Sequence, residues 1–159
     1  MNPHEQLIEE FYAAFSAHEA ETMASCYHPE IAFSDPAFGT LHGKDASDMW
    51  RMLLHRSKGK LHIEFSDIKA DQQCGSAKWI ARYEFSKTGR QVTNEVTANF
   101  VFKDGLIIGH KDDFDFGKWA SQAFGFTGWL IGNTAFFKNK VRNQALASLK
   151  HWQNQNSTP

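Results

Sequence analysis

The chain has 159 residues, enough for one domain with a sizeable core, and its 17 Lys and Arg against 18 Asp and Glu leave a formal charge of −1. That balance gives no general electrostatic pull toward nucleic acid or anionic lipid, so polyanions are not expected partners. No apolar run approaches the roughly 18 residues of a membrane span, and Cys26 and Cys74 show neither CxxC nor metal spacing.

The start, MNPHEQLIEEF, lacks the charged-then-apolar layout of an export signal, and a reduced, cytoplasmic protein is expected. Asn2 as N-cap, Pro3 at the first position and Glu5 in place for a capping box predict a helix through His18. Leu7, Ile8, Phe11, Ala14 and Phe15 form its buried stripe. A second short helix is expected over 20–27, presenting Met23, Cys26 and Tyr27. The period then changes to an extended piece through Ile31 and Phe33, stopped by Asp35, Pro36 and a glycine turn. GKDASDMWRMLLHRS reads as a third helix capped by Asp45.

Strands follow. Leu61, Ile63 and Phe65 share one face of the first; Trp79, Ala81, Tyr83 and Phe85 share one face of the second, opposite Lys78, Arg82 and Glu84. The third separates Val92, Val96, Ala98, Phe100 and Phe102 from Gln91, Thr93, Glu95, Thr97 and Asn99. The fourth, entered through Lys103-Asp104-Gly105, puts Leu106, Ile108, His110, Asp112, Phe114 and Phe116 on one side. That side is apolar except for His110 and Asp112, so its burial places an imidazole and a carboxyl together among hydrocarbon. Each strand has a wet and a dry face, the pattern of an antiparallel sheet covered on one side, here by the three N-terminal helices. Asp115 is expected to cap the segment beginning FGKWAS. After an irregular apolar stretch, a helix over about 133–152 carries Phe137, Val141, Ala145 and Leu149 along one side, with Lys138, Lys140, Arg142 and Lys150 as its only formal charges. A basic amphipathic helix can lie on a membrane; packing on the domain is the better reading of this one, and NQNSTP reads as a frayed tail.

The fold class is α+β. The segments FYAAFSAHEAETMASCYHPEIAFSDPAFG, HGKDA and FVFKDGLIIGHKDDFDFGKWASQAFG resemble the nuclear transport factor 2-like superfamily, in particular its SnoaL-like branch, related to polyketide cyclases, ketosteroid isomerases and limonene-epoxide hydrolases. The likeness covers roughly 4–126 and implies a domain over 1–126, with 127–159 packed on it. It further implies a cone-shaped α+β barrel, in which a strongly curved, mostly antiparallel sheet wraps around helices and leaves a deep apolar pocket. A homodimer through the outer sheet face, using the polar side of QVTNEVTAN, is implied as well.

By the same resemblance the proton-shuttling aspartate of ketosteroid isomerase falls on Asp35, while its two oxyanion donors fall near Phe11 and Ala98, neither of which donates a side-chain hydrogen bond. Steroid isomerisation by that route is therefore disfavoured; Tyr12 rescues the donor only with a rotated helix. The SnoaL-like strand end puts the candidate catalytic carboxyl at Asp112, with His110 beside it and Asp35 as a second carboxyl at the pocket mouth. The side chains of His110 and Asp112, two positions apart on one strand face, stand roughly 6–7 Å from one another at Cβ, a spacing at which they can share a proton through a ligand or water. Tyr27, Trp50, Tyr83 and Phe100 line the pocket or fill the core, and Tyr12, Phe15, Trp79 and Ala98 are counted with them. The ligand implied is a small, mostly apolar molecule bearing a carbonyl, hydroxyl or epoxide.

Duller readings stand beside these. His110 and Asp112 can be a hydrogen-bonded structural pair, Asp35 can serve only its turn, and the whole chain can be a non-catalytic ligand-binding or protein-interaction module. A lone HxD has too few ligands for zinc or iron. Without GxGxxG or GxxxxGK[ST], no cofactor is expected. The arginine of the epoxide hydrolases is not evident, because Arg82 falls on the wet face.

Overall fold

The computed structural model describes residues 1–157. Helix α1 (Pro3–Ser16) begins on the expected capping box: Asn2 accepts from the Glu5 amide at 2.8 Å and the Glu5 carboxylate accepts from the Asn2 amide at 3.1 Å. Its buried side includes Tyr12 as well as Ile8, Phe11, Ala14 and Phe15, whereas Leu7 is only partly buried. Helix α2 (Ala20–Ser25) is shorter than expected, and Tyr27 already begins strand β1 (Tyr27–Asp35). A four-residue strand β2 (Gly39–His42), which its sequence does not announce, folds back on β1. Helix α3 (Lys44–Ser57) is entered through Gly43 at φ 57, with no side-chain cap. Glycine tolerates that left-handed conformation. Asp45 is therefore not the cap; it sits in the first turn and accepts from the Gln153 side chain at 2.8 Å.

Strands β3 (His62–Ala70), β4 (Cys74–Phe85), β5 (Arg90–Lys103) and β6 (Leu106–Asp113) complete a six-stranded sheet in the order β2-β1-β6-β5-β4-β3. Among the described residues only β1 and β6 run parallel and β2 and β3 form the edges, so the curved sheet is mostly antiparallel and does not close into a barrel. Helix α1 packs on β3 and β4, and α3 on β1 and β2, covering the dry face as expected. The α+β cone architecture is thus present.

Strand β6 departs from strict alternation. Val101 pairs with Gly109 but Phe102 pairs with Ile107, which leaves Ile108 as an extra residue, a β-bulge. Ile107 is fully buried, while Leu106 and Ile108, expected inside, are only partly covered. Beyond the bulge, His110 and Asp112 face inward, each 2 % exposed.

The chain continues into α4 (Phe116–Phe124), capped by Asp115, whose side chain accepts from the Lys118 amide at 3.0 Å. The stretch expected to be irregular is a short helix, α5 (Phe126–Ile131), followed by α6 (Ala135–Asn156). Helix α6 reaches Asn156, so the expected frayed tail is helical over its first residues; Thr158 and Pro159 lie outside the described residues. Phe137 enters an apolar cluster with Val92, Phe116, Trp119 and Ala123, and Leu149 enters the main core. Near its end Gln153 ties α6 to α3 through Asp45 and the buried Asp48.

Candidate functional site

His110 and Asp112 sit where β6 is flanked by β1 and β5: Phe33 and Phe100 register with His110, and Ala98 with Asp112. The imidazole lies in an aromatic box, with the rings of Phe11 and Phe33 edge-on at 5.4 and 5.1 Å, Phe100 at 4.5 Å, and the Trp50 indole nearly parallel at 6.1 Å. Phe15 packs edge-on against both Trp50 and Trp79.

The two polar side chains touch directly, the geometry of the hydrogen-bonded pair that stood as the alternative to a bridging ligand or water: His110 Nε2 lies 2.9 Å from Asp112 Oδ1. The hydrogen bonding continues on both sides. Trp50 Nε1 donates to the Tyr27 hydroxyl at 2.9 Å, the Tyr27 hydroxyl stands 2.7 Å from His110 Nδ1, and Trp79 Nε1 donates to Asp112 Oδ1 at 3.3 Å. An indole N–H only donates, which fixes the direction of the chain. Tyr27 accepts from Trp50, so its own proton goes to His110 Nδ1; the imidazole proton is then on Nε2 and points at Asp112, which accepts twice. Every donor in the chain is used only in this arrangement. Burial pushes the Tyr27 hydroxyl well above its ordinary range despite the opposing Trp50 hydrogen bond, and the Asp112 charge adds to the rise. Tyr27 therefore holds its proton.

Tyr12 is the exception to this satisfaction. Its side chain is fully buried, its ring packs on Phe65, Trp79 and Phe100, and its hydroxyl has no hydrogen-bond partner. Burial, then the Asp112 charge, then Tyr27, raise its hydroxyl well above the ordinary range. Tyr12 thus reaches the interior with Phe11 rather than instead of it, so no rotation of α1 is needed.

Asp35 ends β1, and its Oδ1 accepts from the Ala37 amide at 3.0 Å and the Phe38 amide at 2.6 Å, which makes it the organiser of the turn into β2. Its carboxyl is pushed up to about 7, mainly by burial; the Phe38 amide opposes this, the Asp112 charge adds to it, and the Ala37 amide and Arg142 lower it. Arg142 comes from α6, and its guanidinium packs where a side chain at Gly39 would stand. Its charge is the smallest of the influences named on Asp35, and its Nε is buried without a hydrogen-bond partner; Arg82 is exposed and pairs with Glu64 at 2.9 Å.

The structure brings together Tyr12, Phe15, Tyr27, Trp50, Trp79, Ala98 and Phe100 around His110 and Asp112. It turns the hydroxyl of Tyr83 elsewhere: that hydroxyl accepts from Trp119 Nε1 at 2.8 Å, beside α4. Two surface clefts lie away from the pair's aromatic box, one near Asp71 and Cys74, the other along Lys78, Glu95 and Asp113, the second reaching the edge of Trp79. Sequence reasoning left Tyr12 off the buried stripe although its spacing to Ile8 and Phe15 is helical, so a signal existed. Arg142 gave none, since only the return of α6 brings it near Asp35.

Comparison with known proteins agrees with this architecture. The family model described as the SnoaL-like domain matches residues 8–110. No curated protein sequence matches the chain. Among solved structures, TerC crystallised with polyporic acid has a TM-score of 0.66 at 16% identity, over 77% of this chain and 98% of that one. An LEH-like epoxide hydrolase of M. tuberculosis gives 0.58 at 20% identity, over 84% of this chain and 94% of that one. A hypothetical protein from Catenulispora acidiphila DSM 44928 with a ketosteroid isomerase-like fold, in complex with trimethylamine, gives 0.60 at 10% identity, over 74% and 91%. At such identities the likeness is one of fold.

Proposed function

The chain belongs to the SnoaL-like family of the nuclear transport factor 2-like superfamily, and from that premise we propose that it binds a small, mostly apolar molecule between α1 and the sheet and moves a proton on it. Asp112 is the group that takes or returns the proton, and His110, held by Tyr27 and Trp50, orients it. The unpaired Tyr12 hydroxyl is the donor left for a ligand oxygen, a carbonyl, hydroxyl or epoxide. The reaction class is isomerisation, cyclisation, dehydration or hydration, with Asp35 as a second carboxyl. Pairing of two copies through the exposed Gln91, Thr93, Glu95, Thr97 and Asn99 of β5 accompanies this reading.

The observation that carries the proposal is the coexistence, in one buried cluster, of a fully used donor chain ending on Asp112 and a Tyr12 hydroxyl that no group uses. A purely structural pair would explain the first and not the second. The competing reading, a non-catalytic module in which His110 and Asp112 are a structural pair, draws support from the close ring packing around His110. The two separate in one experiment. The protein is offered a panel of cyclic enones, epoxides and polyketide-like ketones, with product formation and ligand-induced thermal shift both measured. Asp112→Asn, which still accepts from Trp79, should keep the thermal shift and lose roughly 10²-fold or more in rate, the usual share of general acid–base catalysis. An unchanged rate overturns the assignment of Asp112. Thermal shifts without turnover in the wild type select the binding module.

A further inference from the structure

The charge of the chain is divided unevenly along it. From Phe116 onward there are four lysines and one arginine and not one aspartate or glutamate, so this stretch is basic within a chain whose formal total is −1. The same stretch holds four of the most exposed large apolar side chains: Phe126 at 73%, Trp129 at 68%, Leu130 at 63% and Phe136 at 74%. They are grouped at the turn formed by α5 and the start of α6, and the Phe126 and Trp129 rings lie 5.7 Å apart.

Their exposure is built in. On a helix of 3.6 residues per turn, Gly128 and Gly132 fall on one side of α5, and Phe126, Trp129 and Leu130 on the other. Both glycines are buried, and a Cβ on Gly128 would run into the carbonyl of Ala120 in α4. Close glycine packing against α4 therefore pins the opposite side of α5 outward, and no rotation of that helix hides its apolar face. Helix α6 is not the contact, because its own stripe is already spent on the domain through Phe137 and Leu149. Its first turns instead set Lys138 and Lys140 within one turn of Phe136, with the Lys138 ammonium 6.0 Å over the Phe116 ring.

We propose that this α5–α6 tip docks on an anionic lipid bilayer, inserting Phe126, Trp129, Leu130 and Phe136 at the headgroup level with Lys138 and Lys140 against the lipid phosphates. Aromatic and leucine side chains flanked by lysines are what such an interface takes up. Charge decides against a second copy of the chain as the occupant. A two-fold contact is made by the same patch on both partners, and here it would set lysines against lysines with no acid from Phe116 onward to answer them. No helix among the described residues is long and apolar enough to cross a membrane, so the contact is peripheral. The proposal goes beyond the proton-transfer reading and does not depend on it.

The test is co-sedimentation of the full chain with vesicles of phosphatidylcholine alone and of phosphatidylcholine with phosphatidylglycerol, at low and high salt, alongside sedimentation velocity without lipid. Binding should appear on the anionic vesicles, weaken with salt, and fall roughly fivefold for each charge removed in Lys138→Gln and Lys140→Gln. Trp129→Ser with Leu130→Ser should abolish it while leaving the melting temperature unchanged, since both side chains are exposed. Equal binding to neutral and anionic vesicles, binding to neither, or full binding by the serine variant overturns the proposal. A wild-type dimer that the serine variant dissociates, without vesicle binding, overturns it in favour of a second copy.

Discussion

Two tyrosines in the same buried cluster should respond to loss of the same atom with opposite signs. Tyr27→Phe removes an oxygen that accepts from Trp50 at 2.9 Å and stands 2.7 Å from His110. The indole N–H is left buried without an acceptor, which costs about 1–3 kcal/mol, and the imidazole loses a hydrogen bond worth about 1 kcal/mol. Destabilisation of roughly 2–4 kcal/mol follows. Tyr12→Phe removes a hydroxyl that is just as buried and bonded to nothing, so no interaction is lost and a desolvation penalty is relieved. That variant should be more stable than the wild type by about 1–2 kcal/mol, while losing affinity for any ligand whose oxygen uses the hydroxyl. Equilibrium urea unfolding followed by circular dichroism reads both, and a shift in midpoint at constant slope reports stability alone. Trp50→Phe in the Tyr27→Phe background completes a cycle: the double variant should cost less than the sum of the singles, because no indole N–H remains to be stranded. Equal and same-signed effects of the two Tyr→Phe changes would refute the directional chain and the unpaired hydroxyl together.

Two further expectations concern the surroundings. Asp35 has its carboxyl at about 7 in the folded protein against an ordinary value of 3.8, so the folded state holds the proton more tightly than the unfolded one. Its effect is therefore nil below about pH 4, becomes increasingly destabilising as pH rises toward 7, and is complete above that; Asp35→Asn, whose Oδ1 can still accept from Ala37 and Phe38, should flatten the decline seen in urea midpoints between about pH 4 and 7, and an equally steep decline in the variant refutes the assignment. Gly128→Ala drives a methyl group into the Ala120 carbonyl of α4; a loss of about 1–3 kcal/mol, the usual cost of overpacking, should appear as a lowered melting temperature, and an unchanged one means that α5 is not held as close to α4 as described.

What the sequence disclosed was whatever is decided within a few residues. The capping box of Asn2 and Glu5, the cap at Asp115 and the alternation of β5 from Val92 to Phe102 are local, and each is present as read. Asp45 failed as a cap because Gly43 offers the left-handed entry to α3 that an aspartate side chain could not improve on. Strand β2 is four residues long and owes its existence to pairing with β1, a partner the local sequence does not name. The α5 segment reads as an irregular apolar stretch, yet it is a helix with Phe126, Trp129 and Leu130 outside, because the decisive contact is made by its glycines. The His110 and Asp112 pair was legible from strand phase; the Tyr27, Trp50 and Trp79 donors that give it a direction come from β1, α3 and β4 and need the assembled fold.

Strand phase itself was right for the pair and wrong for the residues before it, and the reason bears on why a site exists. With Phe102 opposite Ile107 and no extra residue, the ladder would continue with Val101 opposite Ile108 and Asn99 opposite His110. Asn99 faces outward, so the imidazole would follow it into solvent, and Asp112, opposite Thr97, would do the same, since one residue of slip exchanges the faces of a strand. The bulge at Ile108 restores Phe100 opposite His110 and Ala98 opposite Asp112 while Ile107 stays in the core. Gly109 eases this step, since a Cβ there would stand 3.2 Å from that of Val101. A strand that needed only to be buried would gain nothing from turning a polar pair inward. The irregularity makes physical sense as the device that carries an imidazole and a carboxyl into an aromatic box, where the donors of Tyr27, Trp50 and Trp79 are already waiting for them.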